Sequence, residues 1–156
     1  MRYWLMKSEP SDYSIDDLVR DGRVAWYGVR NYQARNFMRD QMRVGDRVLF
    51  YHSTCPQPGI VGLAEVCTAA FADATQFDPA HKYFDPKATL EVPRWFNVEV
   101  ALTQKTRLMP LTEIRATPAL ERMRILQRGN RLSITPVDPD EWAVIVSKLN
   151  NHEQSF

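Results

Sequence analysis

The sequence lacks long apolar runs and has few cysteines. No stretch approaches the roughly 18 consecutive apolar residues of a membrane-spanning helix, so we expect no membrane partner. The first ten residues, MRYWLMKSEP, hold too short an apolar segment for a signal peptide, which makes the cytoplasm the expected location. The two cysteines, Cys55 and Cys67, are too few for a disulfide framework and fit a reducing compartment.

The signature motifs of several enzyme classes are also missing. There is no G-x-S-x-G elbow, no Walker loop and no G-x-G-x-x-G, so no nucleotide cofactor is expected. His52 and Ser53 are neighbours in a predicted strand, and their side chains therefore point to opposite faces and cannot form a dyad. His52, Cys55 and Cys67 lack the paired spacing of metal ligands, so no metal is expected either.

The charge is almost balanced, with a net value of +1, but it is unevenly distributed. Residues 20–47 hold seven arginines against three aspartates, and residues 103–131 hold six arginines and one lysine against two glutamates. The guanidinium fork suits phosphates, so phosphate contacts are predicted for Arg35, Arg39, Arg122 and Arg124. The alternative is that both segments are solvated helix faces.

The pattern of hydrophobic residues predicts one α+β domain over residues 1–156, built as a half-open barrel. Five or six strands are separated by turns rather than by regular crossover helices, which favours a mixed or antiparallel sheet. The predicted elements are a strand at 2–8, helices at 14–22 and 32–42, strands at 47–53 and 60–71, a strand at 94–102, helices at 110–115 and 118–129, a strand at 131–137 and a final helix from 138.

The stretch WYGVRNYQARNF, residues 26–37, is unusual because it combines large aromatic residues with amide and guanidinium groups. The indole of Trp26 can stack on a planar ring, Gly28 allows a close backbone approach, and Asn31 can bond to a base edge. Asn31 is equally suited to cap the helix that follows. Trp95 falls on the predicted outward register of its strand, which leaves it free to line a cleft.

A second polar cluster, KSEP, follows the first predicted strand. Lys7 can donate to a carbonyl or a phosphate, and Ser8 can donate or accept at a base edge. Glu9 can accept from an exocyclic amine, as carboxylates do with cytosine. The competing interpretation is a simple exit from the strand, with Pro10 ending it.

Taken in order, several motifs resemble those of the EVE domain family across residues 2–149. They are WLMKSEP, WYGVRNYQARN, VGDRVLFYHS, GIVGLAEV, KYFDPK and PRWFNVEV. The resemblance implies a PUA-like fold, a curved and partly closed β-barrel with surrounding helices, akin to YTH and ASCH domains. It also implies a domain that reads a modified base, for example a modified cytosine, in DNA or RNA.

The resemblance also implies which residues form the base pocket. Trp26 is expected to be one wall. The remaining wall and the polar contacts are expected from Lys7, Ser8, Glu9, Gly28, Val29, Arg30, Asn31, Tyr51, His52 and Ser53. The expected partners are a nucleic acid with a modified base and other proteins of a modification or restriction system.

Two other classes of function stay open at this point. One is an enzyme that acts on a modified nucleoside, with His52, Glu9 or Cys55 as its reactive groups. The other is a protein-interaction module whose aromatic residues form a docking patch.

Overall fold

The chain folds around a mixed six-stranded sheet that curls into a half-barrel, which confirms the predicted α+β class. The computed structural model describes the backbone of residues 1–154 and the side chains of residues 1–150. The strands are β1 (Tyr3–Ser8), β2 (Arg23–Ala25), β3 (Arg47–His52), β4 (Gly59–Val66), β5 (Phe71–Ala72), β6 (Phe96–Asn97), β7 (Glu99–Pro110) and β8 (Ile134–Val137). Their order in the sheet is β2-β7-β4-β3-β1-β8, while β5 and β6 form a separate pair.

Only β1 and β3 run parallel within the described sheet, and the other neighbours are antiparallel. The α-helices are α1 (Ile15–Asp21), α2 (Tyr32–Asn36), α3 (Leu111–Ala116) and α4 (Pro139–Gln154). A π-helical turn at Phe37–Gln41 continues α2. Across the described residues, no helix has the length and apolar character needed to cross a membrane.

Each face of the sheet carries its own hydrophobic core. In β1 and β3, Met6 and Phe50 point to one face, where they pack with residues of α1 and α2. Leu5 and Leu49 point to the other face, where residues of α3 and α4 cover them. The central position of β1 agrees with the prediction made from its two apolar faces.

Helix α1 has the caps that its sequence predicts. The Ser14 hydroxyl accepts from the Asp17 N–H at 3.1 Å, and the Asp17 carboxylate accepts from the Ser14 N–H at 2.9 Å. Gly22 ends the helix with a positive φ of 79° and donates to the Leu18 carbonyl. These local interactions fix where α1 begins and ends.

Some predicted elements differ from the observed ones. The strand predicted at 60–71 ends at Val66, and Phe71–Ala72 form the separate strand β5. Residues 118–129 form two short 3₁₀ turns, Pro118–Leu120 and Arg124–Leu126, instead of one helix. Met123 adopts an extended backbone (ψ 138°) between them and is buried, so the chain breaks to place this side chain in the core. Strand β7 also continues to Pro110, well beyond the predicted end at residue 102.

Candidate functional site

A cavity of about 790 Å³ lies where the end of β1, the segment after β2 and the loop at residues 82–83 come together. Its wall combines aromatic rings with charged and amide groups. The lining residues are Lys7, Ser8, Glu9, Asp12, Tyr13, Val24, Ala25, Trp26, Tyr27, Gly28, Val29, Arg30, Asn31, Ser53, Thr54, Lys82, Tyr83, Arg131 and Ser133. Nine of the predicted site residues are therefore on one cavity.

Trp26 lies at the boundary between this cavity and the core. Its side chain is 8% exposed and belongs to the core that also contains Phe50. The two rings meet edge to face, with centroids 5.5 Å apart. The backbone N–H of Trp26 donates to the Val98 carbonyl at 2.8 Å, which attaches the start of this segment to the sheet. Trp26 thus supports the fold as well as the cavity wall.

The backbone conformation and the packing at position 28 both require glycine. It has a positive φ of 82°, and an added Cβ would lie 2.5 Å from the ring of Tyr83. The Gly28 N–H donates to the buried carboxylate of Asp73 at 2.8 Å. The sequence predicts a close approach of a ligand at this glycine, but the closest neighbour here is the protein's own Tyr83, which forms another part of the wall.

Arg30 is held inside the protein by several hydrogen bonds. Its guanidinium donates to Asp73 at 3.2 Å, to the Tyr83 carbonyl at 2.7 Å and to the Thr75 hydroxyl at 3.1 Å. Burial raises the pKa of Asp73, but hydrogen bonds from Thr75, Gly28 and Arg30 outweigh it and hold the pKa below its usual value. Arg30 therefore fastens the Tyr83 loop to the cavity and pairs with a carboxylate that stays ionised.

Asn31 fills the first of the two roles that its sequence context leaves open and lies where the second is possible. Its side-chain oxygen accepts from the Ala34 N–H at 3.0 Å and caps α2. The side-chain nitrogen makes no hydrogen bond within the described part of the chain. Because Asn31 also lines the cavity, this nitrogen can donate to a ligand.

The KSEP residues leave β1 along the cavity wall. The Ser8 hydroxyl donates to the Tyr13 carbonyl at 2.6 Å and so has a structural partner. Lys7 is half-buried, and burial lowers the pKa of its amine. Among the side chains of residues 1–150, no carboxylate pairs with Lys7, whereas Glu9 is exposed at the rim. Lys7 is therefore a positive group available to an anionic ligand.

Two of the predicted pocket residues in β3 lie elsewhere. Tyr51 is buried in the opposite core, because alternation along the strand turns it towards α3 and α4. His52 does not line the cavity, and its Nε2 accepts from the Ile15 N–H at 3.1 Å at the start of α1. The expectation that both side chains reach the pocket is wrong, while Ser53 does line it.

His52 should make folding stability depend on pH. Burial lowers the pKa of His52, and the nearby Asp16 carboxylate opposes this only in part. The unfolded chain then binds more protons below about pH 6.5, so stability is full above that value and falls as pH decreases. Urea titrations over a pH series should show this loss, and the variant His52→Gln should reduce it. An unchanged pH dependence in the variant would contradict the assignment.

Trp95 is not free to line a cleft, contrary to its predicted outward register. It is 6% exposed, and its Nε1 donates to Asp85 at 2.7 Å. The ring stacks on Tyr32 with a centroid distance of 4.9 Å, and the guanidinium of Arg30 lies 5.2 Å from its centroid. The loop that precedes Trp95 folds back over it, which a strand register cannot predict.

The arginines predicted to contact phosphates lie outside the cavity. Arg35 donates to the Arg94 carbonyl at 2.8 Å, and Arg39 pairs with the adjacent Asp40 at 2.8 Å. Arg122 and Arg124 are exposed near the 3₁₀ turns. The positive groups at the cavity are instead Lys7, Arg30, Lys82 and Arg131.

Several cavity residues are not predicted from the sequence. Tyr83 lies inside the motif KYFDPK, whose aromatic residue faces Gly28 although 55 positions separate them. Tyr27 is 51% exposed and contacts Tyr83 at a centroid distance of 6.3 Å. Tyr13 follows KSEP, but no local pattern marks it. Within residues 1–150, no group of three or more His, Cys, Asp or Glu side chains is arranged to hold a metal ion.

Comparison with known proteins identifies similar chains. The model of the EVE domain matches residues 2–148. Thymocyte nuclear protein 1 of Mus musculus is 38% identical over 164 residues, which cover 93% of this chain and 72% of that protein. A hypothetical protein from Leishmania major has a similar structure, with a TM-score of 0.93 and 44% identity over 98% of this chain and 97% of that one.

A second similar structure contains a ligand. It is human THYN1 protein in complex with DNA that contains 5-methylcytosine, with a TM-score of 0.88 and 36% identity. The similarity covers 95% of this chain and 97% of the human chain. These structures confirm the expected PUA-like fold.

Proposed function

Because the chain belongs to the EVE domain family, we propose that it binds DNA that carries a modified cytosine and holds that base in the cavity beside Trp26. The observation that carries this proposal is the cavity itself, which joins aromatic rings to the Lys7 amine and the Asn31 side-chain nitrogen, two groups without a hydrogen-bond partner among the described residues. Its volume of about 790 Å³ is that of an ordinary small-molecule site. The human relative bound to methylated DNA supports the choice of ligand.

The base would be held by stacking and by contacts to its edge. Trp26, Tyr27 and Tyr83 supply aromatic surface, and stacking of a base on such a ring contributes about 1–3 kcal/mol. The amide nitrogen of Asn31 donates to a carbonyl or ring nitrogen, and the exposed carboxylate of Glu9 accepts from the exocyclic amine of cytosine. In a duplex, these contacts must offset the few kcal/mol that extrusion of a base costs.

The charges around the cavity favour a polyanion. Lys7, Arg30, Lys82 and Arg131 line it against Glu9 and Asp12, and Arg30 is already paired with Asp73. The three other cations are therefore placed to contact the phosphates on either side of the extruded base. This part of the affinity should decrease with salt and should not depend on sequence.

The methyl group should add a modest preference. Burial of one methyl contributes roughly 1 kcal/mol, which corresponds to about a fivefold difference in affinity. Fluorescence anisotropy with matched methylated and plain DNA oligonucleotides, both single-stranded and duplex, measures this preference. A methylated RNA of the same sequence shows whether the protein binds DNA more tightly than RNA. Equal binding of the methylated and plain forms would overturn the proposal.

Lys7→Met should weaken the binding of every oligonucleotide and reduce the salt dependence of affinity. Methionine keeps the length and apolar stem of the side chain, and Lys7 has no carboxylate partner among the described residues, so the fold should be retained. A plot of log affinity against log salt concentration should become shallower by about the amount that one phosphate contact contributes to its slope. Lys148→Met is the matched control, since Lys148 pairs with Glu113 outside the cavity. An equal effect of both variants would contradict the role of Lys7.

The alternative of an enzyme acting on a nucleoside gains no support from the geometry. Of its three candidate groups, only Glu9 lines the cavity. His52 already accepts a backbone hydrogen bond, and Cys55 lies outside the cavity wall. The structure therefore does not bring His52 or Cys55 together with Glu9 at the cavity.

A further inference from the structure

Several exposed apolar side chains lie at the cavity or in the segment that follows one of its walls. Of the nine large hydrophobic residues that are exposed in the described part of the chain, Tyr27 lines the cavity, and Phe84, Leu90 and Val92 follow the cavity residue Tyr83. Leu90 is 76% exposed and Val92 is 69% exposed, which leaves two aliphatic side chains in water two positions apart. Such a cluster points to a contact surface.

The segment that carries Leu90 and Val92 starts at the cavity wall. It leaves from Tyr83, a cavity residue, and ends at Arg94. The guanidinium of Arg94 donates to the hydroxyl of Tyr32, and Tyr32 directly follows the cavity residue Asn31 in the chain. The segment is therefore attached at its start to the cavity wall and at its end to the neighbour of a cavity residue.

Interactions at its base hold this segment in place. The Asp85 N–H donates to the Gln76 carbonyl at 3.0 Å, and the Asp85 carboxylate accepts from the Trp95 indole at 2.7 Å. The buried side chain of Gln76 accepts from the Arg94 N–H at 2.9 Å. The tip beyond this base is consequently presented by a fixed support.

The tip itself is a tight turn with apolar residues. The Val92 N–H donates to the carbonyl of Thr89 at 3.2 Å and to its hydroxyl at 3.0 Å, and Leu90 and Glu91 occupy the two middle positions. Asn, Asp and Gly are the usual residues of such turns. Leucine and valine at this place gain no burial from the fold, so their apolar surface is available to a partner.

We propose that Leu90 and Val92 form a wedge that enters the base stack of duplex DNA next to the base held in the cavity. The inference rests on the proposed function, since it requires a base to leave the stack. Apolar side chains inserted between base steps are a known means of unstacking a duplex. Lys82 and Lys87 precede the tip in the chain and are exposed, so they suit the phosphates of a duplex, whereas Arg94 lies 3.9 Å from the Asp85 carboxylate. Glu91 is the exposed acid of the tip.

The test compares duplex and single-stranded DNA of the same methylated sequence. The double variant Leu90→Ser and Val92→Ser should bind the duplex about tenfold or more weakly, because the wedge no longer offsets unstacking. Its affinity for the single strand, which needs no unstacking, should match that of the wild type. Val19→Ser is the matched control, because Val19 is 49% exposed on α1, and it should change neither affinity.

A fluorescent adenine analogue placed beside the methylated base adds a direct readout. Its emission should increase when the wild type binds the duplex and should stay quenched with the double variant. Unchanged duplex affinity of the double variant would overturn the wedge and favour a protein partner for this tip. A wild type that binds the methylated single strand but not the duplex would overturn the wedge alone. Absence of binding to either form would overturn the proposed function as well.

Discussion

Replacement of Trp26 by alanine is expected to lower the free energy of unfolding by about 3–5 kcal/mol, in addition to removing base binding. The indole is 8% exposed and packs edge to face on Phe50, so alanine would leave a void in the core. Such a loss is a large part of the stability of an ordinary domain. Urea titration monitored by circular dichroism measures the loss.

The sequence alone suggests that Trp26→Ala removes recognition of the base and leaves folding intact, but the buried indole makes this expectation wrong. Trp26→Phe is therefore the better probe of binding, since it retains an aromatic ring in the core. Trp142→Ala is a matched control in the other core, where a half-buried indole stacks on Tyr3 at 5.0 Å. We expect a smaller loss there. A Trp26→Ala protein as stable as the wild type would show that the indole is not part of the core.

The sequence predicts those parts of the fold that depend on neighbouring residues. Ser14, Asp17 and Gly22 lie within one helix, and their capping interactions follow from their spacing. The alternation in β1 and β3 predicts which side chains face each core, because the period of a strand is two residues. A glycine within a strand pattern, as at Gly62, indicates a bulge or a close approach. Gly62 lies at a register shift between β4 and β7, and an added Cβ would collide with the side chain of Ile15.

The predictions fail where distant segments meet. Trp95 is buried because residues 73–94 fold back over it, and the Gln76 side chain accepts from its backbone N–H at 3.0 Å. Gly28 is needed for the ring of Tyr83, a residue 55 positions away. The polar composition of the loop at residues 73–87 predicts solvent exposure, and only its pairing with Arg30 turns it into a cavity wall.

The same distinction applies to the arginines. A count of charges along the chain treats each guanidinium as free, but Arg30 and Arg35 donate to carbonyl groups and fasten loops. Such arginines act as structural donors, because their planar forks join several acceptors at once. Lysine is less frequent than arginine in this chain, yet Lys7 and Lys82 line the cavity and can contact an anionic ligand there.

Asp73→Ala should be the most damaging single change in the loop that covers the cavity. The carboxylate is 1% exposed and accepts from Gly28 N–H at 2.8 Å, from Arg30 at 3.2 Å and from the N–H and hydroxyl of Thr75 at 2.8 and 2.6 Å. Removal of one partner of a buried ion pair costs about 3–5 kcal/mol, since the other charge stays buried. Affinity for methylated DNA should fall as well, because Arg30 and Gly28 would no longer hold the Tyr83 wall.

The pH dependence of stability distinguishes the loss of the ionised Asp73 carboxylate from a general loss of packing. Hydrogen bonds hold the pKa of Asp73 below its usual value despite burial, so its contribution is complete above about pH 4 and disappears as pH falls through the lowered value. Asp73→Ala should remove that acid-dependent part of the stability, as measured by thermal unfolding in a pH series. Asp40→Ala is the control, since its pair with Arg39 is exposed to solvent and should contribute little to stability. If both variants unfold alike, Asp73 does not organise the cavity wall, and the base site must be sought without the Tyr83 loop.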